Sequence, residues 1–230
     1  MQSTTYFRTR RSIQSFDDSR CIPLQVVYEA LDDARYSPSP FNIQPWRFLV
    51  LTRDDLLARL RDVANGQHKI VDAGTVVVFL ADLKADEYAE AIVDAAVADG
   101  TLVAPASTRW KGAYPRLRSL GADHLVRRDM REAVMVAAMA FMTSVHMRGY
   151  DTCPIGGFDP EALRVAFDIA PRFDPVVLCP AGCRQPSAPA IPKPRFELGS
   201  LVVLDEAPEF CPSFARTGDR LRLSHTANFA

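Results

Sequence analysis

Residues 123–148 read DHLVRRDMREAVMVAAMAFMTSVHMR, and this stretch decides the class of fold. No glycine or proline interrupts it, and from Ala133 onward it is apolar nearly all round, with alanine and methionine dominating. The pattern predicts a helix of about 26 residues, roughly 39 Å long at the α-helical rise. A helix so apolar must be buried on several sides. In a chain of 230 residues that makes it a central helix, with a place at a subunit interface as the further expectation.

Short β-rich runs lie on both sides of that helix. Upstream are 46–51 and the Val-rich run 75–81, whose unbroken apolar character is that of a strand covered on both faces. Downstream are 150–155, 175–180 and a last run at 201–204. Helical signals alternate with them. Leu24, Val27, Leu31 and Ala34 recur at helical spacing behind Pro23 and stop at Ser37-Pro38-Ser39-Pro40, whose prolines cannot continue the pattern. Thr52-x-x-Asp55 has the form of a capping box opening a helix to about Val63. Residues 84–98 are rich in good helix formers, and Asp159-Pro160 reads as the cap and first turn of a helix through Phe167 after a Gly156-Gly157 turn. Residues 99–121, with scattered Gly, Pro and Arg, show no clear period and read as a mobile or capping segment. The class is mixed α and β.

Composition excludes several kinds of protein. Hydrophobic residues at 48% and charged residues at 24% are those of an ordinary globular chain, and a net charge of −1 offers no global field for nucleic acid or an anionic membrane. The longest mainly apolar stretch, 133–142, falls well short of the ~20 residues of a membrane span. The N-terminus shows no apolar signal core, so a cytoplasmic location is the expectation. Five cysteines, without a Cys-x-x-Cys pair or a histidine at zinc spacing, read as reduced thiols, and no metal site is expected.

No Gly-x-Ser-x-Gly elbow, P-loop or strand-linked Gly-x-Gly-x-x-Gly is present. What stands out instead is a set of separated anion donors. Arg10-Arg11-Ser12 offers two guanidinium forks and a hydroxyl, a combination suited to a phosphate monoester. Lys193 and Arg195, two apart on an extended proline-stiffened stretch between Pro186 and Pro194 and just beyond, project to one side. Taken alone, either cluster reads as a solvated basic face.

Taken together, the motifs resemble those of the FMN-dependent nitroreductase family in order and spacing. They are Arg10-Arg11-Ser12 with Phe16, then Pro38-Ser39-Pro40-Phe41-Asn42-Ile43-Gln44-Pro45-Trp46, then Cys153-Pro154-Ile155-Gly156-Gly157-Phe158-Asp159-Pro160, then Lys193-Pro194-Arg195. The resemblance covers residues 5 to about 205. It implies an α+β fold with a central mixed sheet flanked by helices, in an intertwined homodimer with FMN at the interface. Residues 1–206 would form the FMN-binding domain, with 99–121 as its substrate segment, and 207–230 a C-terminal extension of unassigned role.

Residue by residue, the resemblance implies that Arg10, Arg11, Ser12, Lys193 and Arg195 hold the FMN phosphate and its surroundings. It implies that Pro38, Ser39, Pro40 and Asn42 come from the second subunit, and that Pro154 borders the cofactor while the turn Ile155-Gly156-Gly157 after it presents backbone N–H groups to flavin N5, where glycine permits close approach. Gln14, Gln67 and Lys69 fall at the uracil end of the ring. Many members carry lysine where this chain has Gln14, so the positive charge there is weaker or comes from Lys69. Gly156 replaces an acidic residue common in one branch, and the proline-bearing 38–40 loop replaces a more polar one.

The implied chemistry is hydride transfer from NADH or NADPH through flavin N5 to a small-molecule acceptor such as a nitroaromatic or quinone, with no side-chain acid or base required. Trp110, Tyr114 and His124 are the candidates for an acceptor pocket. Two other readings stand beside it: a flavoenzyme of the same fold with another reaction, such as dehalogenation, flavin breakdown or a biosynthetic dehydrogenation, and an FMN-binding protein without turnover.

Overall fold

The computed structural model describes residues 3–188, 193–202 and 214–215. The chain divides into two compact units, Met1–Ala188 and Pro189–Ala230. In the first, the order is α1 (Ser3–Thr9), α2 (Leu24–Ala34), β1 (Trp46–Leu51), α3 (Asp54–Val63), α4 (Lys69–Asp72), β2 (Val76–Asp82), α5 (Ala89–Ala98), α6 (Ala104–Ser119), α7 (Asp123–Met147), β3 (Asp151–Thr152), α8 (Pro160–Ala166) and β4 (Phe173–Gly182). In the second, β5 (Arg195–Phe196) pairs antiparallel with β6 (Phe214–Ala215).

The four strands of the first unit form one sheet in the order β1-β2-β4-β3, and every strand pair in it is antiparallel. Among the described residues its parallel component is one isolated bridge, Ser12 to Thr152. All of β2 is buried. Val77, Phe79 and Ala81 face a core shared with α2 and α7, while Val76, Val78 and Leu80 face a second core built from Leu57, Leu60, Ile70 and Leu163. Helices on both faces thus account for the unbroken apolar run at 75–81. The register shifts between Phe79 and Leu80, where Val177 pairs with the first and Pro175 with the second, so that Val176 is the extra residue of a bulge. A proline lacks the ladder N–H, and a bulge is one of the places a strand tolerates it.

α7 spans 25 residues, and its end has a local cause. Gly149 takes φ +83°, its N–H donates to His146 O at 3.1 Å, and Tyr150 N–H donates to Val145 O at 3.2 Å, a paired arrangement that satisfies two terminal carbonyls. Val126, Met130, Val134, Ala137, Phe141 and Val145 bury one face. Met135, Val136 and Met147 remain exposed, so within one chain the helix is covered on fewer sides than its composition predicts.

Four sequence expectations change. Residues 99–121 contain the regular helix α6 despite Pro115 in its interior, so the segment is not irregular. The capping box at Thr52 does not form: Arg53 is the cap residue, without a capping hydrogen bond, and its guanidinium binds both Asp55 oxygens, at 3.0 and 2.6 Å. Residues 84–98 are a 3-10 turn, Ala85–Tyr88, followed by α5 rather than one helix. The first residues of the run at 201–204 follow a 3-10 turn, Leu198–Ser200, and are not a strand; residues 203 and 204 lie outside the described residues, as does most of 207–230. Among the described residues no helix is long and apolar enough to cross a membrane.

Candidate functional site

Three segments far apart in sequence meet at the β3 edge of the sheet. The first is the stretch leaving α1, which carries Arg10, Arg11, Ser12 and Gln14. Ser12 bridges to Thr152, and Ile13 N–H donates to Thr152 O at 3.1 Å, so this stretch runs alongside β3. The second is the 65–69 turn before α4. The third is the 152–157 segment, held to β4 by the reciprocal pair Ile155–Leu178 at 2.8 and 3.0 Å. Gly182 of β4 lets this corner close: a Cβ there would lie 2.9 Å from Ala73 O and 3.2 Å from the Phe16 ring.

Side chains tie the segments together. Lys69 Nζ donates to Gln14 Oε1 at 3.0 Å, and Gln14 Nε2 faces Cys153 Sγ at 3.9 Å. Gln67 Nε2 donates to Gly157 O and to Ala64 O, each at 3.0 Å. Asn65 Nδ2 donates to the same Gly157 O at 3.0 Å. The turn at Gly156 and Gly157 is exposed, while Ile155 beside it is buried. Two amides therefore hold one carbonyl of a solvent-facing turn. Burial pushes the Cys153 thiol up from its ordinary value, opposed by the Lys69 ammonium, and burial with the neighbouring Cys153 pushes the Cys179 thiol up further.

The anion donors of the arm differ among themselves. Arg10 is half-buried, and its Nη1 is buried with no hydrogen-bond partner. A buried guanidinium nitrogen without a partner costs free energy, and an anionic ligand would remove that cost. Arg11 turns back on the backbone, donating from Nη1 to Arg8 O and, at 2.9 Å, to Arg10 O. Lys193 and Arg195 lie in the second unit, where Arg195 Nη1 donates to Pro194 O at 3.0 Å.

Pro38, Pro40 and Asn42 are exposed on a loop with an uncommon backbone. Phe41, Asn42 and Gln44 have φ of 54°, 53° and 48°, and Ser39 Oγ accepts Gln44 N–H at 3.0 Å. Left-handed non-glycine residues so close together store strain, a feature that gathers at binding loops. Phe41 stands edge-on against Trp110 and Tyr114, at 5.9 and 5.6 Å between centroids. Tyr114 is 1% exposed and belongs to the core; Trp110 braces the loop. His124 lies apart from both, at a cleft of about 590 Å³ that it shares with Arg127, Arg131 and Met135. The structure therefore does not gather these three rings into one pocket.

Asn65 was not legible as a site residue, although the Asn65-Gly66 pair signals a turn; both residues are left-handed, at φ 56° and 68°. Nothing local in the sequence tells that its amide reaches Gly157.

An arm with a buried guanidinium nitrogen that makes no hydrogen bond, an ammonium–amide pair and an exposed two-glycine turn are thus carried by one α+β scaffold. The chain belongs to the nitroreductase family, whose family model matches residues 7–183. It is 33% identical over 179 residues to YodC of Bacillus subtilis (strain 168), which carries the name of an NAD(P)H nitroreductase, covering 76% of this chain and 86% of that one. It is 32% identical over 186 residues to an oxygen-insensitive NAD(P)H nitroreductase of Salmonella typhimurium, covering 75% and 84%. A solved nitroreductase structure from Exiguobacterium sibiricum, in complex with FMN, superposes with a TM-score of 0.78 at 26% identity, covering 88% and 96%.

Proposed function

We propose that the protein is an FMN-dependent oxidoreductase that moves hydride from NADH or NADPH to a small-molecule acceptor of the nitroaromatic or quinone type, in two successive half-reactions. The observation that carries this reading is the convergence of 10–14, 65–69 and 152–157 at one sheet edge, in a chain of the nitroreductase family. FMN, when bound, supplies the redox chemistry by taking up a hydride and giving it back.

The chain's own residues bind and orient. Arg10 supplies a guanidinium nitrogen without a hydrogen-bond partner for the phosphate, with Ser12 two residues on, and the family resemblance adds Arg11, Lys193 and Arg195. At the turn that follows Pro154 and the buried Ile155, whose own N–H is held by Leu178 O, the exposed Gly156 and Gly157 offer their N–H groups to the reacting edge of the ring, steadied through Gly157 O by Asn65 and Gln67. Lys69, resting on Gln14, holds positive charge at the pyrimidine end, where many family members place a lysine at position 14. Pro38, Ser39, Pro40 and Asn42 reach the flavin of a second subunit, and the exposed residues Met135, Val136 and Met147 of α7 are covered in that homodimer.

The test is the visible spectrum of the purified protein. A flavin absorbance, release of FMN and not FAD on denaturation, bleaching by NADH or NADPH without oxygen, and recovery on adding a nitroaromatic or quinone are expected. A colourless protein that takes up no added FMN would sink the proposal. A flavin that bleaches and recovers with neither acceptor class would point to one of the other reactions of this fold.

A further inference from the structure

We infer that His146 is a positioning residue for the anion-binding arm: held between Asp151 and Thr9, it ties α1 to the body of the molecule and so fixes Arg10 for a phosphate. The inference rests on the proposed FMN site and adds residues outside the motifs that mark it.

α1 is seven residues long, too short for a helix to persist on its own hydrogen bonds. Its place must come from tertiary contacts, and among the described residues one of these is at its last residue. Thr9 Oγ1 lies 3.0 Å from Nε2 of His146, which the final turn of α7 presents. The Tyr6 ring stands edge-on to the same imidazole, 6.1 Å between centroids at 86°. On the other side of the ring, Nδ1 lies 3.8 Å from Asp151 Oδ1 in β3, and Arg184 Nε lies 3.9 Å from the second Asp151 oxygen. The imidazole thus spans from the end of the arm to a carboxylate anchored in the sheet.

Both protonation states support that span. In the neutral ring, Nδ1–H faces Asp151 and Nε2, at 3.0 Å, accepts the Thr9 hydroxyl proton in preference to the more distant Tyr6 O at 3.4 Å; in the charged ring, Nε2–H donates to Thr9 Oγ1, whose own proton goes to Tyr6 O. The carboxylate faces Arg184, Arg10 and His146, and burial raises its pKa against the pull of those three groups. Thr9 immediately precedes Arg10, whose Nη1 is buried without a partner. Anchoring Thr9 therefore sets where the chain leaves α1 and where the Arg10 guanidinium waits. A ligand without a phosphate gains nothing from that placement.

The experiment compares affinities of the full-length protein, stripped of flavin, for FMN and riboflavin by quenching of flavin fluorescence. The variants are Thr9→Val, Thr9→Ser and His146→Leu; Thr9 is exposed, so its variants keep the core intact. The parent is expected to prefer FMN. Thr9→Val and His146→Leu should each lose about tenfold in FMN affinity, the scale of one misplaced charge-assisted hydrogen bond, with riboflavin affinity unchanged. Thr9→Ser keeps the hydroxyl and should match the parent. If the parent prefers FMN and the valine and leucine variants keep that preference, or weaken both flavins alike, the positioning role is overturned while the FMN reading stands. A parent with no preference for FMN overturns the underlying reading, and this inference with it.

Discussion

Gly157 O is a single acceptor served by two side chains, and that sharing makes it testable. Either Asn65 or Gln67 alone can hold the turn, each at 3.0 Å. Replacing one by alanine should change FMN affinity little, whereas the double variant should lose about tenfold, more than the sum of the singles, as expected for residues in one network. Flavin fluorescence titration of the three variants measures this. The thiols give a second residue-scale expectation. Burial disfavours the thiolate, the reactive form, at Cys153 and Cys179, while Cys21 is exposed. A thiol-specific chromogenic reagent at neutral pH should therefore label Cys21 rapidly and these two only after denaturation, as peptide mapping would report. Fast labelling of Cys153 in the native protein would contradict its placement.

At the scale of elements, polar clusters fasten helices and strands whose apolar faces do most of the work. α2 is joined to α7 by Asp33, which accepts from Ser144 Oγ at 2.6 Å and from Arg148 Nη1 at 2.9 Å. The Ser144 hydrogen bond, and next the Arg148 guanidinium, hold the Asp33 carboxyl below its ordinary value. A carboxyl lowered in the folded state contributes stability that is present above its unfolded pKa and lost as pH falls through the folded one. Because the carboxylate is half exposed, Asp33→Asn should cost only about 0.5–1 kcal/mol at pH 7, and the difference from the parent should vanish below the carboxylate range in denaturant titrations. Asp82, at the end of β2, is 1% exposed and accepts from Arg47 of β1 and from Arg172 ahead of β4, with all three bonds at 2.9 Å. Removing it strands two guanidinium groups that are themselves partly solvated. Asp82→Ala should therefore cost about 2–3 kcal/mol, below the range for fully buried pairs, read as a fall in the urea midpoint.

For the whole molecule, an open feature among the described residues is the uncovered side of α7. Met135 at 46% and Val136 at 44% exposure are large apolar residues on a long helix with polar neighbours on its first turns. In the proposed homodimer they are buried, and the loop carrying Pro38 to Asn42 completes a site in the other subunit. Met135→Glu should then shift sedimentation from dimer to monomer and lower FMN affinity together, because assembly and site share one cause. A variant that stays dimeric with full FMN occupancy would show that this face is not the interface.

Much of this architecture was readable from the residues. The strand at Trp46–Leu51 and the helix at Leu24–Ala34 have the bounds their patterns predict, because apolar spacing and the flanking prolines are local signals that packing reinforces. The cap at Asp159 formed as expected, its carboxylate accepting from Glu161 and Ala162 N–H. Where a signal depended on a distant partner, the sequence alone was not enough. α6 carries an internal proline and a weak stripe, and only the packing of Tyr114 in the core and Phe41 against it supplies a reason for helix. The buried run in β2 left the direction of its neighbours open, since helices on both faces bury a strand whether its partners run parallel or antiparallel. The amino-acid order by itself determined the family and the long helix, and marked the segments in which the site is proposed, because those rest on local composition and motif spacing. Only the tertiary structure decided that Asn65 and Gln67 share one carbonyl, that Lys69 rests on Gln14 and that His146 reaches Thr9, because each joins residues tens of positions apart whose meeting depends on how the helices stack on the sheet.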